Sequence, residues 1–465
     1  MNKLILIGIY LYLNIFIISA QFAGARTVLS FDLLNKVKDE TYYELFSNQK
    51  LSFKLQPYDL NGLAQLTDTI VEISIRKEDI QIQGNKNQLE LQIQKAGVYL
   101  SANLEVASFS QNLRITPSCS FSLLFYFYKN EANQILLEKI DIEEFYLSEE
   151  GINLPFYFKS SKQYVTQLLQ VEIKKYLQNH YINQIVDNIN QKLVEINSIV
   201  AIPGTHVNFQ IDFQMPIINR QLLALETNFL FQGDSQLNNK GQIKQQSNFF
   251  EQITLIESLE SDFSIQISQI CIQNIIEQLF QSKDLNKDVK LQLNYQNQKL
   301  LNLNLFFLGI GNHLFEDQQV IVSITSTSPP KLNLVENSHI ELFSAQSIDF
   351  KVNLQGQDFT LFNLRTNSNL KISLKVNKEN KILFVLESFK FEDLSFFVNE
   401  KEKPSLKIIQ PIIEYELGNI LKNKLSEQQM TISNKFFNLK DAQIQVKEDY
   451  IQIQGDVSFV KLSQM

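Results

Sequence analysis

Tryptophan is absent from this 465-residue chain, and histidine, proline and glycine are scarce, at 4, 9 and 14 residues. Cysteine occurs twice, at Cys119 and Cys271. Two thiols cannot staple a chain of this length, so an apolar core has to hold the fold. The four histidines (His180, His206, His313, His339) are scattered, with neither metal-type spacing nor a nearby cysteine partner. No Gly-x-Ser-x-Gly elbow and no Gly-rich phosphate cradle occurs, so a common serine lipase and a nucleotide-binding loop both lack their turn. Acidic runs such as Asp141–Phe145 read as solvated turns and not as acid/base pairs. Basic charge is short as well, with 42 Lys and Arg against 50 Asp and Glu, net −8. That balance excludes the basic face of a nucleic-acid binder and strong attraction to anionic membranes. No Asn-x-Ser/Thr sequon is present. The expectation is a chain that is not an enzyme, with no metal and no cofactor.

Long hydrophobic runs are missing except at the start. Residues 1–20 read as a signal peptide: Lys3 precedes an apolar stretch from Leu4 to Ile18, and Ser19-Ala20 offers small residues for cleavage. No later stretch reaches the roughly 18 uninterrupted apolar residues of a membrane span. The expected location is outside the cell or in the lumen of the secretory pathway.

Two periodicities fill the remainder. Leu29 to Phe46 puts Leu33 and Val37 on one helical face, and residues 163–196 carry a longer stripe that includes Leu169, Ile173, Leu177 and Ile185. Between them, segments such as "VEISIRKEDIQIQG", "LELQIQ" and "FSLLFYFY" alternate with period two, as antiparallel strands do. The order then recurs. Residues 263–280, "FSIQISQICIQNIIEQLF", read as a helix whose first half also fits a strand, and bring Ile272, Ile276 and Leu279 to one face. Strand patterns follow to about Phe397, and then the helix "LKIIQPIIEYELGNILKNKL" with Ile409, Ile413, Leu417 and Leu421. Phe31 and Phe263 lie 232 residues apart, and so do Leu193 and Leu425. This common offset points to a duplicated domain. The boundaries read as 21–205 for the first domain, 206–247 for central strands and linker, and 248–465 for the second. Each apolar stripe can fill a dry core against its sheet, or leave room for a hydrophobic ligand; periodicity does not separate the two.

Three segments carry a resemblance: "GARTVLSFDLLNKV" near the start, "VDNINQKL" closing the long helix, and the tail from "PIIEYELGNILKNKL" to "YIQIQGDV". From Gly24 to Met465 the chain resembles the lipid-binding serum glycoprotein family. Its members include bactericidal/permeability-increasing protein, lipopolysaccharide-binding protein, and the cholesteryl ester and phospholipid transfer proteins. The resemblance implies an α+β fold: a boomerang of two tandem tubular lipid-binding barrels, each an antiparallel sheet wrapped around a long helix, joined by a central sheet. It implies a pocket for phospholipid acyl chains in each barrel. The family's helix cysteine falls on Ile182 here, so its disulfide is absent and Cys119 and Cys271 are expected to be free. Residues 21–205 hold 17 Lys and Arg against 21 Asp and Glu, which departs from the basic tip of endotoxin-binding members.

The function that follows is a secreted lipid-binding or lipid-transfer protein. Its partner would be a phospholipid or related amphiphile, met at a transient membrane or lipid-particle surface. Candidate lining is Leu33, Val37, Leu169, Ile173, Leu177 and Ile185 in the first half, with Ile272, Ile276, Leu279, Ile409, Ile413, Leu417 and Leu421 in the second. Two rivals stand beside it: a lipopolysaccharide-binding innate-defence protein, and a packed structural or interaction module without ligand.

Overall fold

The computed structural model describes residues 25–46, 51–60, 62, 64–85, 87–106, 109–194, 199–201, 205–231, 259–292, 319–354, 357–398, 401–402, 410–427, 429–431 and 437–459. The segment read as a signal peptide, residues 232–247 of the central strands and linker, and Ile409 lie outside them. The chain divides into two compact units. One comprises Met1–Ser198, Ile211–Asn228 and Leu255–Ser264; the other comprises Ile199–Gln210, Phe229–Thr254 and Ile265–Met465.

The first unit opens with β1 (Ala25–Ser30), which runs into α1 (Phe31–Phe46). The Ser30 hydroxyl caps that junction by accepting from the Leu33 N–H at 3.0 Å. Then come β2 (Leu51–Lys54), β3 (Gln65–Ile75), β4 (Ile80–Asn85) and β5 (Gln88–Val106). They are followed by β6 (Phe109–Ile115), β7 (Ser118–Lys129) and β8 (Ile135–Leu147). The sheet runs β2-β3-β5-β7-β8, antiparallel throughout, and β4 and β6 also pair with the 19-residue β5. A long helix follows as α2 (Lys162–Tyr176), a π-helical segment (Leu177–Ile182) and α3 (Asn183–Val194). The later strand β9 (Leu222–Phe231) returns to pair antiparallel with β1.

The second unit contains α4 (Gln269–Gln281), entered from β10 (Phe263–Ser268), whose Ser268 hydroxyl caps the helix by accepting from Ile270 N–H. Its sheet strands are β11 (Lys287–Gln292), β12 (Gln319–Ser326), β13 (Lys331–Leu334), β14 (Ile340–Leu354), β15 (Gln357–Val376) and β16 (Lys381–Val398). Their order is β11-β12-β14-β15-β16, with β13 also on β14. Then follow α5 (Gln410–Glu427) and the hairpin of β17 (Phe437–Val446) and β18 (Tyr450–Phe459).

Both units share one pairing scheme. In the first, β5 pairs through its N-terminal half with β4 and through its C-terminal half with β3; in the second, β14 does the same with β13 and β12. The spacing between equivalents is not constant. Ser30 and Ser268, which precede the first helix of each unit, lie 238 residues apart, because "FSIQIS" is strand and the helix starts at Gln269. The period-two reading of that segment wins over the helical one.

Scarce glycine is replaced at the hairpins by asparagine. Asn87, Asn133, Asn337 and Asn380 sit at φ between 56° and 67°, the left-handed region that Asn tolerates best after Gly.

The expected pair of barrels wrapped around long helices is corrected by these elements. The described chain is mostly strand, arranged in three antiparallel sheets, and the helices do not thread closed tubes. The physical reason lies in what the helices do with their polar faces. In the first unit α1 lies along β4 and α2–α3 along β8, two strands whose outer edges no other described strand covers. Asn35 of α1 accepts from Ile82 N–H and donates to Ile82 C=O, both at 2.9 Å. On the long helix Gln178 accepts from Ile142 N–H at 3.1 Å and donates to Ile140 C=O at 2.8 Å, while Gln170 accepts from Leu147 N–H. In the second unit Gln269 and Gln273 of α4 make four such bonds to β13 and Pro330, and Gln410 with Glu414 of α5 brackets Phe391 of β16. A carboxamide presents the same donor and acceptor as a peptide group, so in the first unit the helices substitute for the next strand, while in the second α5 covers the middle of β16 and the short strands Lys401–Glu402 and Gln429–Thr431 pair with its ends.

Candidate functional site

The sheet of the first unit turns one apolar face toward the long helix. Side chains alternate across a strand, so every second residue shares a face. Ile73 and Ile75 come from β3, Leu91 and Ile93 from β5, Phe121, Leu123 and Phe125 from β7, and Ile140 and Ile142 from β8. Register sets them in rows: Leu91 stands opposite Leu123, which stands opposite Ile142, and Ile93 stands opposite Phe121. Leu51 of β2 pairs with Ile73 at one border. Leu177, Tyr181, Ile182 and Ile185 close the other side from the helix. Between the two walls lies an apolar cleft, open on one side, with about 650 Å³ of empty space when the adjoining solvent is counted.

Thirteen of the fourteen lining side chains are pure hydrocarbon; Tyr181 carries the one polar group. Its hydroxyl reaches the Ser52 carbonyl at 3.4 Å, and burial pushes its pKa up, so the phenol is neutral. Tyr181 belongs to an aromatic group beside the cleft. Phe53 stacks on Tyr176 with centroids 4.5 Å apart and planes 7° apart, and Tyr181 tilts against both.

The π segment supplies Leu177, Tyr181 and Ile182 to the wall. A π turn widens the helix locally and re-aims the side chains that follow, and such bulges concentrate at working sites.

Of the candidate lining residues, Leu177 and Ile185 are in the cleft wall. Leu169 and Ile173 are buried on α2 but outside the cleft, Leu33 is buried on α1 and Val37 half-buried there. Ile272 packs on Leu334, Ile340, Val446 and Ile451, an ordinary core role. Ile276, Leu279 and Leu421 are half-buried, and the side chains of Ile413 and Leu417 lie outside the described residues. Sequence reading missed Tyr181, Ile182 and every strand position. The alternating "VEISI", "LELQIQ" and "FSLLFYF" held that signal.

Both cysteines are buried, and neither is in a disulfide. Among the described residues no three His, Cys, Asp or Glu side chains gather as a metal site, and no helix is long and apolar enough to cross a membrane. Two polar clusters of the second unit contain serine, histidine and a carboxylate. Asp284 takes 2.6 Å from the Ser282 hydroxyl and 2.8 Å from His206 Nδ1, so the serine bonds the carboxylate and not the imidazole. Ser338 bonds its neighbour His339 at 2.6 Å within the turn between β13 and β14, and His339 bonds Glu341 at 3.3 Å.

No family model matches the chain, and no curated protein matches it. Among solved structures it is similar to a lipopolysaccharide binding protein at 13% identity, over 95% of this chain and 100% of that one, with a TM-score of 0.41. It is also similar to P47 from Clostridium botulinum A2 and to P47 of Clostridium botulinum E1, each at 12% identity and a TM-score of 0.32. Those two likenesses cover 94% of this chain and 98% and 99% of the respective relatives.

Proposed function

We propose that this chain is a non-enzymatic carrier that buries the hydrocarbon part of a lipid-like amphiphile in the cleft between the first unit's sheet and its long helix. The observation that carries the reading is the wall: thirteen hydrocarbon side chains and one tyrosine facing one cleft. An apolar wall of this composition is what small-ligand sites present. The driving force is removal of methylenes from water, about 0.8 kcal/mol for each one buried, less the cost of immobilising the ligand. No covalent step enters.

The same reading takes residues 1–20 as a leader and places the mature chain in the secretory lumen or outside the cell. It also sets the chain beside the lipid-binding serum glycoproteins, on the sequence segments at either end.

The test is organic extraction of the purified full-length protein followed by mass spectrometry, with uptake of a fluorescent fatty acid measured in parallel. Stoichiometric lipid or saturable uptake supports the carrier. Neither one, from protein with a cooperative melting transition, leaves the packed module without ligand in its place.

A further inference from the structure

Resting on that reading, we infer that the cleft holds its amphiphile in one direction. The polar end lies at the β2 border, hydrogen-bonded by the Tyr181 hydroxyl, and the tail runs under the helix toward β8. The ligand is an amphiphile whose polar end exchanges one hydrogen bond, such as an acid, an ester or an alcohol. The two borders are far enough apart to be told from each other. The sheet order β2-β3-β5-β7-β8 puts four steps of about 4.8 Å between them, roughly 19 Å measured along the sheet.

At the β8 border the helix is tied down. Gln178 accepts from the Ile142 N–H and donates to the Ile140 C=O, and the side chains of those same two strand residues line the cleft. Asn190 brackets Leu137 of the same strand in the same way. Both carboxamides are spent on backbone. What this border presents to a ligand is hydrocarbon: Ile140, Ile142 and Phe125, which stands opposite Ile140.

At the β2 border the joint is looser and wetter. The Tyr181 hydroxyl reaches the Ser52 carbonyl at 3.4 Å, the outer limit of a hydrogen bond, in an exposed position. Leu51, the neighbour of Ser52, is half-buried and lines the cleft. Tyr176 and the exposed His180 complete the border, with ring centroids 4.6 Å apart. Rings with a polar tip belong where hydrocarbon meets water. Exchanging the long bond to Ser52 for one to a ligand costs little, because the released carbonyl can turn to water. The phenol then donates to a carbonyl or carboxylate, or accepts from an alcohol.

The experiment uses the full-length protein and stearic acid spin-labelled either near its carboxyl end or near its methyl end. The chain has no tryptophan, so Leu51→Trp at the β2 border and Phe125→Trp toward β8 each supply a single reporter. Ile75→Trp or Leu123→Trp replaces whichever of the two does not fold. Binding is read from the label's own resonance spectrum, and position from quenching, since a nitroxide quenches an indole only at short range. The carboxyl-end label is expected to quench the Leu51→Trp protein more strongly than the methyl-end label does, and the order to reverse in Phe125→Trp. Adding Tyr181→Phe should weaken stearate binding about three- to tenfold and bring the two labels toward parity. Equal quenching by both labels, or the opposite order, overturns the single direction while leaving the carrier reading intact. Unchanged affinity and unchanged order in Tyr181→Phe take Tyr181 away from the polar end and overturn the proposal likewise. Binding without quenching of either reporter places the ligand outside the cleft and overturns both readings. No binding of either labelled acid sinks the carrier reading itself.

Discussion

Asn190 brackets the backbone of Leu137: its Oδ1 accepts from the Leu137 N–H at 2.8 Å and its Nδ2 donates to the Leu137 C=O at 2.8 Å. Leu137 lies in β8, the last strand of its sheet, where both groups would otherwise meet no strand. The same arrangement joins Asn35 to Ile82 in the first unit and Gln273 to β13 in the second. Carboxamides on helices are the joint between the two kinds of element in this fold.

Asn190→Leu removes both bonds and leaves the Leu137 amide and carbonyl facing an apolar side chain. An unsatisfied buried polar group costs about 1–3 kcal/mol, so the substitution lowers unfolding free energy by about 2–4 kcal/mol. Denaturant titration measures that. Hydrogen exchange at the Leu137 amide separates the mechanism from a general loss, since protection there should fall more than at Leu123. Asn190→Asp keeps the acceptor and loses the donor, and should cost less than Leu.

The π segment makes the joint possible. Gln178 and Asn190 are twelve residues apart, which in an unbroken α-helix puts them about 120° apart around the axis. Each π residue turns roughly 20° less than an α residue, so the segment Leu177–Ile182 brings both amides to the side facing β8. Deleting Asn179 should restore a plain α-helix in which Gln178 and Asn190, then eleven residues apart, lie about 20° apart and still face β8. The π turn goes while Asn190 and Ile185 keep their partners. The expected outcome is helix content retained by circular dichroism, with hydrogen-exchange protection of the Leu137 amide retained. Loss of that protection would show that the π turn does not absorb the deletion.

Part of this was legible in the sequence. Period two marked the strands from Leu51 to Phe145, and the helical stripe named Leu177 and Ile185, because burial on one face leaves a local pattern. Sheet closure leaves none: whether β8 pairs onward or stops depends on register and on what covers its edge, both set by residues far away in the chain. Gln170, Gln178 and Asn190 read as solvated positions of an amphipathic helix, and only the strand beside them reveals their work. Tyr181 and Ile182 escaped because a 3.6-residue period fails across a π turn. The 232-residue offset was a mixed signal. It links Gln178 to Gln410, which do the same thing in the two units, and it fails at the first helices, where "FSIQIS" is strand.

Acid should weaken the second unit first through two carboxylates. The Ser282 hydroxyl, then the His206 backbone N–H and ring, hold the Asp284 carboxyl at about 2. Lys371, at 2.8 Å, and then His339 hold Glu341 at about 2. Both folded values lie below the ordinary carboxylate range near 4, so the stabilisation is fully present above about pH 5. It is lost as pH falls from there toward 2. Melting temperature should therefore decline across that window. Asp284→Asn and Glu341→Gln should each lower it at pH 7 and flatten its dependence below pH 5. An unchanged slope in both variants would assign the acid sensitivity to other groups.

Cys119 and Cys271 should be silent in the folded protein. Only the thiolate reacts, and burial pushes the Cys119 thiol up to about 12 and raises Cys271 as well. Each side chain is almost fully enclosed, at 2% and 1% exposure. Iodoacetamide at pH 8 should add nothing to the native protein over the time that labels a small free thiol completely. In denaturant, without any reductant, two labels per chain should appear by mass spectrometry. Labelling in denaturant only after a reductant is added would mean that the two thiols are bonded to each other or to a partner. Labelling of the native protein at one site would mean that its unit opens locally on the time scale of the reaction.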